Sequence, residues 1–214
     1  MKNYIKELRK KFNQYNIDGY IVPKNDEFFS EYSKKDRLKI VSNFSGSAGY
    51  AIILKKKNYL FVDGRYNIQA QLESGDKFKI VNYQKIINCK LFKNLKLGIN
   101  PKLFTSNQIK KFFLKYNKVK YINFDLIEKK SNKQSENIKQ FYSLEEKIVG
   151  ENYKSKISKV RNFLKKNKSN FLFISAPENV AWLLNIRGYD NPNSPIPNCN
   201  LLLSDKKKNV YNSK

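Results

Sequence analysis

The chain has 214 residues, with 43 Lys and Arg against 18 Asp and Glu, a formal net charge of +25 and no histidine. That length fits one to two domains of roughly 100–200 residues each. The missing histidine excludes Ser–His triads, Cys–His pairs and imidazole-ligated zinc.

In chain order, Ile5, Leu8 and Phe12 recur at helical spacing and predict an amphipathic helix over residues 3–15. GYIVP (19–23) follows as a short apolar strand bounded by Gly and Pro, and a short helical stretch is expected near Arg37–Val41. YAIIL (50–54) and NYLFV (58–62) flank the turn KKK as a hairpin. DGRYNIQAQLE then reads as a helix capped by Asp63 and carrying Ile68, Ala70 and Leu72. FKIVNY (78–83) and LKLGIN (95–100) read as strands, TSNQIKKFFLKY (105–116) as a helix begun by Thr105 or Ser106, and VKYINF (119–124) as a closing strand. Residues 1–124 are therefore expected to form a complete α/β unit.

Residues 125–150 carry few large apolar side chains and are expected to be a linker. Beyond them the pattern restarts. Ile157, Val160, Arg161 and Leu164 lie 152 residues after Ile5, Leu8, Arg9 and Phe12, and FLFIS (171–175) falls where GYIVP stood. A helix through Val180–Leu184, a Pro/Asn-rich loop (190–200), the strand LLLS (201–204) and the turn DKKKN complete 151–214. This second copy is shorter than the first and predicts an unfinished sheet, so the chain is expected to be part of a longer protein or to need a partner.

Two places carry candidate chemistry. In SGSAG (45–49) the glycines and small side chains permit either a tight turn into the next strand or the close approach of a ligand, which makes Ser45, Gly46 and Ser47 candidate cleft contacts. In DGRY, Gly64 supplies a permissive turn and Arg65 falls at a strand-to-helix junction. Open α/β sheets bind ligands there, and a guanidinium can pair with a peptide carboxylate or carbonyl. A salt bridge from Arg65 to Asp63 or Glu31 is the alternative. Trp182 is expected in the core, with a ligand platform as the other reading. Arg187 and Asp190 either pair to pin their loop or line a cleft. Asp26, Glu27 and Glu31 have no third cluster of ligands and are not read as a metal or acid–base site. Cys89 and Cys199 lie far apart, outside any metal-ligand spacing, and read as buried or idle thiols. No catalytic and no metal-binding residue is assigned.

DEFFSEY (26–32), Arg37, NFSGSAGYAIIL (43–54), FVDGRYNIQA (61–70), LGINP (97–101) and ENVAWLLNIRGYDNP (178–192), in that order, resemble the N-terminal region of cytosolic-type Xaa-Pro aminopeptidases, of the creatinase/prolidase superfamily. The resemblance implies a creatinase N-terminal-like α/β domain, with a mixed sheet flanked by helices, followed by a truncated second copy of the same fold. It further implies a peptide-binding role for Arg65. The family's catalytic domain holds two metal ions, usually manganese, through Asp, Asp, His, Glu and Glu, so no cofactor is expected on this chain.

The resulting expectation is a non-catalytic part that shapes the peptide cleft and mediates assembly. Its partners would be a peptide with proline in second position, a second copy as a homodimer, or a catalytic domain. A stand-alone module pairing with a separate catalytic chain, or a gene remnant without activity, are the alternatives. The lysines are spread along the chain and only five of the 43 basic residues are arginine, which argues for compositional drift rather than nucleic-acid binding. With no apolar signal core and no stretch approaching ~18 apolar residues, no membrane association is expected and a cytoplasmic location is.

Overall fold

A computed structural model describes residues 2–30, 35–87, 91–127, 141–191, 193–205 and 207–212. The chain divides into two compact units, Met1–Gln134 and Ser135–Lys214. In the first, α1 (Lys2–Gln14) buries the stripe Ile5, Leu8 and Phe12. Asn16 then turns the chain at φ 45°, with the Ile17 N–H donating to Phe12 O at 3.0 Å, and β1 (Gly19–Pro23) begins. The Asp36 side chain caps α2 (Arg37–Ser42) by accepting from Lys39 N, and Asn43 at φ 69° ends it. Next come the hairpin β2 (Gly49–Leu54) and β3 (Asn58–Val62), a 3₁₀ turn (Gly64–Tyr66), α3 (Asn67–Ser74), β4 (Lys79–Asn82) and β5 (Lys96–Ile99). α4 (Ser106–Ile109) starts on a capping box between Thr105 and Gln108 and continues as a π turn, Lys110–Leu114, before β6 (Lys118–Tyr121).

The sheet order is β4-β3-β2-β1-β5-β6, and β2 alone runs against the others. Successive side chains of a strand point to opposite faces, and here both faces are covered. Leu8, Phe12, Leu38, Val41, Phe44 and Leu60 fill one core. Ile21, Ile52, Phe61, Phe104, Ile109 and Phe113 fill the other. Because only β2 is reversed, the carboxyl ends of five strands and the amino end of β2 share one edge of the sheet.

The second unit contains β7 (Tyr142–Ser143), α5 (Glu146–Val149), α6 (Tyr153–Lys166), β8 (Phe171–Ile174), α7 (Pro177–Leu184), β9 (Ile186–Arg187), β10 (Cys199–Ser204) and β11 (Lys208–Asn212). Its three-stranded sheet, order β11-β10-β8, repeats β3-β2-β1 in register. Gly19 pairs with Leu54 and Phe171 with Ser204; Ile53 pairs with Asn58 and Leu203 with Lys208. The repeat extends to single hydrogen bonds. Arg9 Nε donates to Leu54 O at 2.9 Å and Arg161 Nε to Ser204 O at 3.1 Å. Lys168 takes the left-handed turn of Asn16, at φ 52°, and Ser169 N donates to Leu164 O at 2.9 Å. The protein is thus a mixed α/β chain in which a six-stranded domain is followed by a second copy carrying counterparts of its first three strands.

Some expectations need correcting. Trp182 is exposed, because α7 turns Val180, Ala181, Leu183 and Leu184 inward and leaves Trp182 on the outer side. On α3 only Ala70 of the three apolar residues is buried; Ile68 and Leu72 are exposed. The closing strand spans Lys118–Tyr121 rather than 119–124, and Phe124 is exposed. Of the stretch expected as a linker, Leu126 and Ile127 pack into the first core, while β7 and α5 belong to the second unit. The remainder of it, 128–140, lies outside the described residues, as do Glu31 and Cys89.

Candidate functional site

The topology brings SGSAG and DGRY together. SGSAG leads into the amino end of β2 and DGRY leaves the carboxyl end of β3, and Gly49 pairs with Val62 across them. A hollow of about 260 Å³ opens at this edge, lined among others by Lys24, Asn25, Phe29, Ser47, Tyr50 and Asp63. Ser47 Oγ lies 3.0 Å from Tyr66 Oη and shares a hydrogen with it. Burial, and next the Tyr83 hydroxyl, push the Tyr50 phenol above its ordinary range, so it stays a neutral donor.

Most of SGSAG is used by the fold itself. Ser45 N and Oγ donate to the Glu73 carboxylate at 2.8 and 2.7 Å, and Gln69 donates to Ser45 Oγ at 2.8 Å. A Cβ on Gly46 would fall 2.2 Å from Phe44 Cζ, so the close approach that this glycine permits is to a core ring. Gly64, by contrast, has no left-handed backbone, and a Cβ there would meet nothing nearer than 3.8 Å; the turn is set by Asp63, not by glycine. Of the three small candidates, Ser47 faces the hollow.

Asp63 Oδ1 accepts both Arg65 N, at 3.0 Å, and Arg65 Nε, at 2.9 Å. The Arg65 side-chain bond, then its backbone N–H, hold the Asp63 carboxyl below its ordinary range. The pair therefore stays ionised, and the Arg65 side chain remains 75% exposed at the rim of the edge. It is oriented before anything binds to it.

One arrangement at this edge has no local signal in the sequence. Arg37 Nε donates to Asp125 Oδ2 and Arg37 Nη2 to Glu27 Oε1, both at 2.6 Å. Asp26 Oδ1 accepts from Phe28 N and Ser30 N at 2.9 Å, and Phe29 between them sits at φ 61°. A bulky residue in the left-handed region persists only when its surroundings over-determine it. Burial holds the Asp26 carboxyl above its ordinary range, against the pull of the Ser30 and Phe28 N–H groups. Asp26 and Glu27 thus shape the loop that presents Phe29 to the hollow.

In the second unit Arg187 Nη1 donates to Ile186 O, whereas Asp190 Oδ2 accepts from Asn198 N at 2.8 Å. The two do not pair with each other among the described residues. Tyr142, opposite Arg187 in the β7–β9 pairing, packs on Tyr189 with ring centres 5.2 Å apart. Cys199 is buried, and burial followed by the Asp190 charge pushes its thiol up to about 11.

Sequence models of the creatinase/prolidase N-terminal domain match residues 5–130 and 132–214. Xaa-Pro aminopeptidase 1 of Dictyostelium discoideum is 32% identical, the match covering 90% of this chain and 34% of that protein. A probable Xaa-Pro aminopeptidase P of Laccaria bicolor is 29% identical, with 89% and 32% covered. The chain spans about a third of the length of the curated relatives it matches. Among solved structures, the X-prolyl aminopeptidase of Caenorhabditis elegans, described as a cytosolic enzyme with a di-nuclear active site, superposes with a TM-score of 0.85 at 23% identity. That match covers 99% of this chain and 39% of the other. The residues here do not fit a di-nuclear centre: the chain has no histidine, and no three of the Cys, Asp or Glu side chains gather among the described residues. Nor is any helix among them long and apolar enough to cross a membrane.

Proposed function

The chain belongs to the creatinase/prolidase N-terminal domain family, and from that premise we propose that it is the non-catalytic N-terminal part of an Xaa-Pro aminopeptidase-like metallopeptidase. It shapes the cleft in which a peptide with proline in second position lies, and it mediates assembly with a catalytic domain or a second copy. The complete cytoplasmic enzyme removes the residue ahead of proline, using two manganese ions held outside this chain. The observation that carries the reading is the convergence of Ser47, Asp63 and Arg65 on one sheet edge, in a chain matched along its length by Xaa-Pro aminopeptidases. There Arg65, held by Asp63, offers a guanidinium to a peptide carbonyl or carboxylate. Ser47 and Tyr66 add a hydrogen-bonded pair of hydroxyls at the same edge. The two domains of this part follow its two compact units, Met1–Gln134 and Ser135–Lys214.

The test is release of the first residue from an Xaa-Pro peptide with added manganese. It compares the 214-residue chain alone with the chain plus the C-terminal two thirds of the Dictyostelium relative. Turnover is expected only in the mixture, and Arg65→Ala should raise KM by about tenfold with the fold intact. Turnover by the chain alone, or unchanged kinetics in the variant, overturns the reading.

A further inference from the structure

The KKK turn of the β2–β3 hairpin and the KFK run (77–79) that opens β4 are basic in sequence, and the fold sets both beside α1. A hollow of about 500 Å³ opens between these segments, at the edge of the sheet opposite SGSAG and DGRY. It is lined among others by Arg9, Lys56, Lys57, Lys77, Lys79 and Asp76. Asn58 ties the segments together: its Oδ1 accepts from Arg9 Nη2 and its Nδ2 donates to Lys77 O, both at 2.9 Å. Arg9 Nε also donates to Leu54 O, so the guanidinium is half-buried and fixed by a carbonyl and an amide oxygen. Burial holds Arg9 below its ordinary range, and no carboxylate among the described residues offsets that cost. None of the four lysines pairs with an acid among the described residues, whereas Lys10, Lys24, Lys55, Lys147 and Lys159 each do. Nor are the lysines held here as caps of α3. Gln71 O accepts from Gly75 N at 2.9 Å, and Ser74 O from Lys77 N and Phe78 N at 3.0 Å. Five positive charges thus gather around a small volume with Asp76 as the one acid lining it.

We propose that this hollow binds a small anion bearing two or more adjacent phosphate groups. Arg9 supplies a charge that is oriented before anything binds. The lysines act as point charges on phosphate oxygens, and the concave shape focuses their field. A carboxylate would neutralise one of the five cations, whereas each phosphate group carries about −1.5 to −2 at neutral pH, so two or three of them match the set. The volume suits a small molecule and not a folded partner. Compositional drift adds lysines everywhere on a surface; a built site requires that those lining the hollow do more than equally charged ones outside it. The site lies away from the edge that carries the peptidase reading and does not depend on it.

The experiment is calorimetric titration of the full 214-residue chain at physiological salt, read together with amide hydrogen exchange. The probes are sodium triphosphate, inorganic phosphate, and phosphatidylcholine vesicles carrying a phosphoinositide. Triphosphate is expected to bind about tenfold or more tightly than inorganic phosphate, with new protection at residues 56–59 and 75–79. Lys57→Glu with Lys79→Glu should weaken that binding by about tenfold or more. Lys110→Glu with Lys111→Glu makes the same change of net charge on the turn that continues α4, and should weaken it by less than about twofold because charges outside the hollow are screened. All four side chains are exposed, so both variants keep the wild-type circular dichroism. Binding to the vesicles without binding to triphosphate, lost in the Lys57 and Lys79 variant alone, upholds the hollow and makes its ligand a lipid headgroup. Binding that both variants weaken equally, or that neither weakens, means an adventitious ion only and overturns the proposal, as does no binding of triphosphate or of the vesicles.

Discussion

Ser45 illustrates how one residue's role follows from its partners rather than its motif. The Glu73 carboxylate receives two bonds from Ser45 and one from Gln69. Burial raises its pKa, but the Ser45 backbone and hydroxyl and the Gln69 amide outweigh this and set it below the ordinary 4.5. A carboxyl depressed on folding contributes stability that is present above its unfolded value and is lost as pH falls through the lower folded value. The Ser45 loop is therefore expected to stay pinned at pH 4.5 and to loosen below it. The Ser45 amide resonance followed from about pH 6 to about pH 2.5 checks this. A midpoint at or above 4.5, or a titration that persists in Glu73→Gln, contradicts it. The same residue was legible as a candidate in the sequence, but its tie to a side chain 28 positions away was not.

At the scale of elements, the recurrence of Ile5, Leu8, Arg9 and Phe12 as Ile157, Val160, Arg161 and Leu164 is readable because helix and strand periods survive when individual residues change. What the arginines do is visible only in three dimensions. Each lies on the helix that leads into the first strand of its sheet, α1 before β1 and α6 before β8, and donates to the carbonyl that ends the second strand of that sheet. Arg9 adds a bond to Asn58 Oδ1. Arg9→Ala should cost the first unit about 1–2 kcal/mol and speed amide exchange in β2 and β3. Arg161→Ala should do so in β10 and β11, leaving β2 and β3 unchanged. Exchange that rises in both hairpins with either variant would show that the two bonds are not local to their units. Trp182 marks the limit of the pattern. AWLLNI is apolar enough to predict burial throughout, yet a helix covered on one side buries a stripe, and Trp182 falls outside it.

For the whole molecule, the unequal covering of the two sheets carries a consequence for stability. Among the described residues, the first unit encloses two cores, one on each face, whereas the second encloses one and exposes Phe171 and Phe173 on the other. Small domains bury a smaller share of their surface and are correspondingly marginal. Residues 1–134 expressed alone are expected to unfold cooperatively in urea. Residues 135–214 alone should unfold at lower denaturant and bind a hydrophobic dye in the absence of denaturant. Equal midpoints for the two pieces would show that the exposed face costs the second unit nothing. The net charge of +25 is spread over both units and acts on association rather than on fold.

The sequence by itself determined the α/β class, the order of the main elements of the first unit, the internal repeat, the family resemblance and the absence of histidine chemistry. Each of these is written in local periodicity, in contiguous motifs or in composition. Only the tertiary structure decided that SGSAG and DGRY share an edge, since that depends on β2 alone running backwards. It alone paired Arg37 with Asp125 across 88 residues and turned Trp182 outward. It also showed that the same strand face is sealed in one unit and open in the other. Such pairings are fixed by packing between distant segments, and no run of neighbouring residues encodes them.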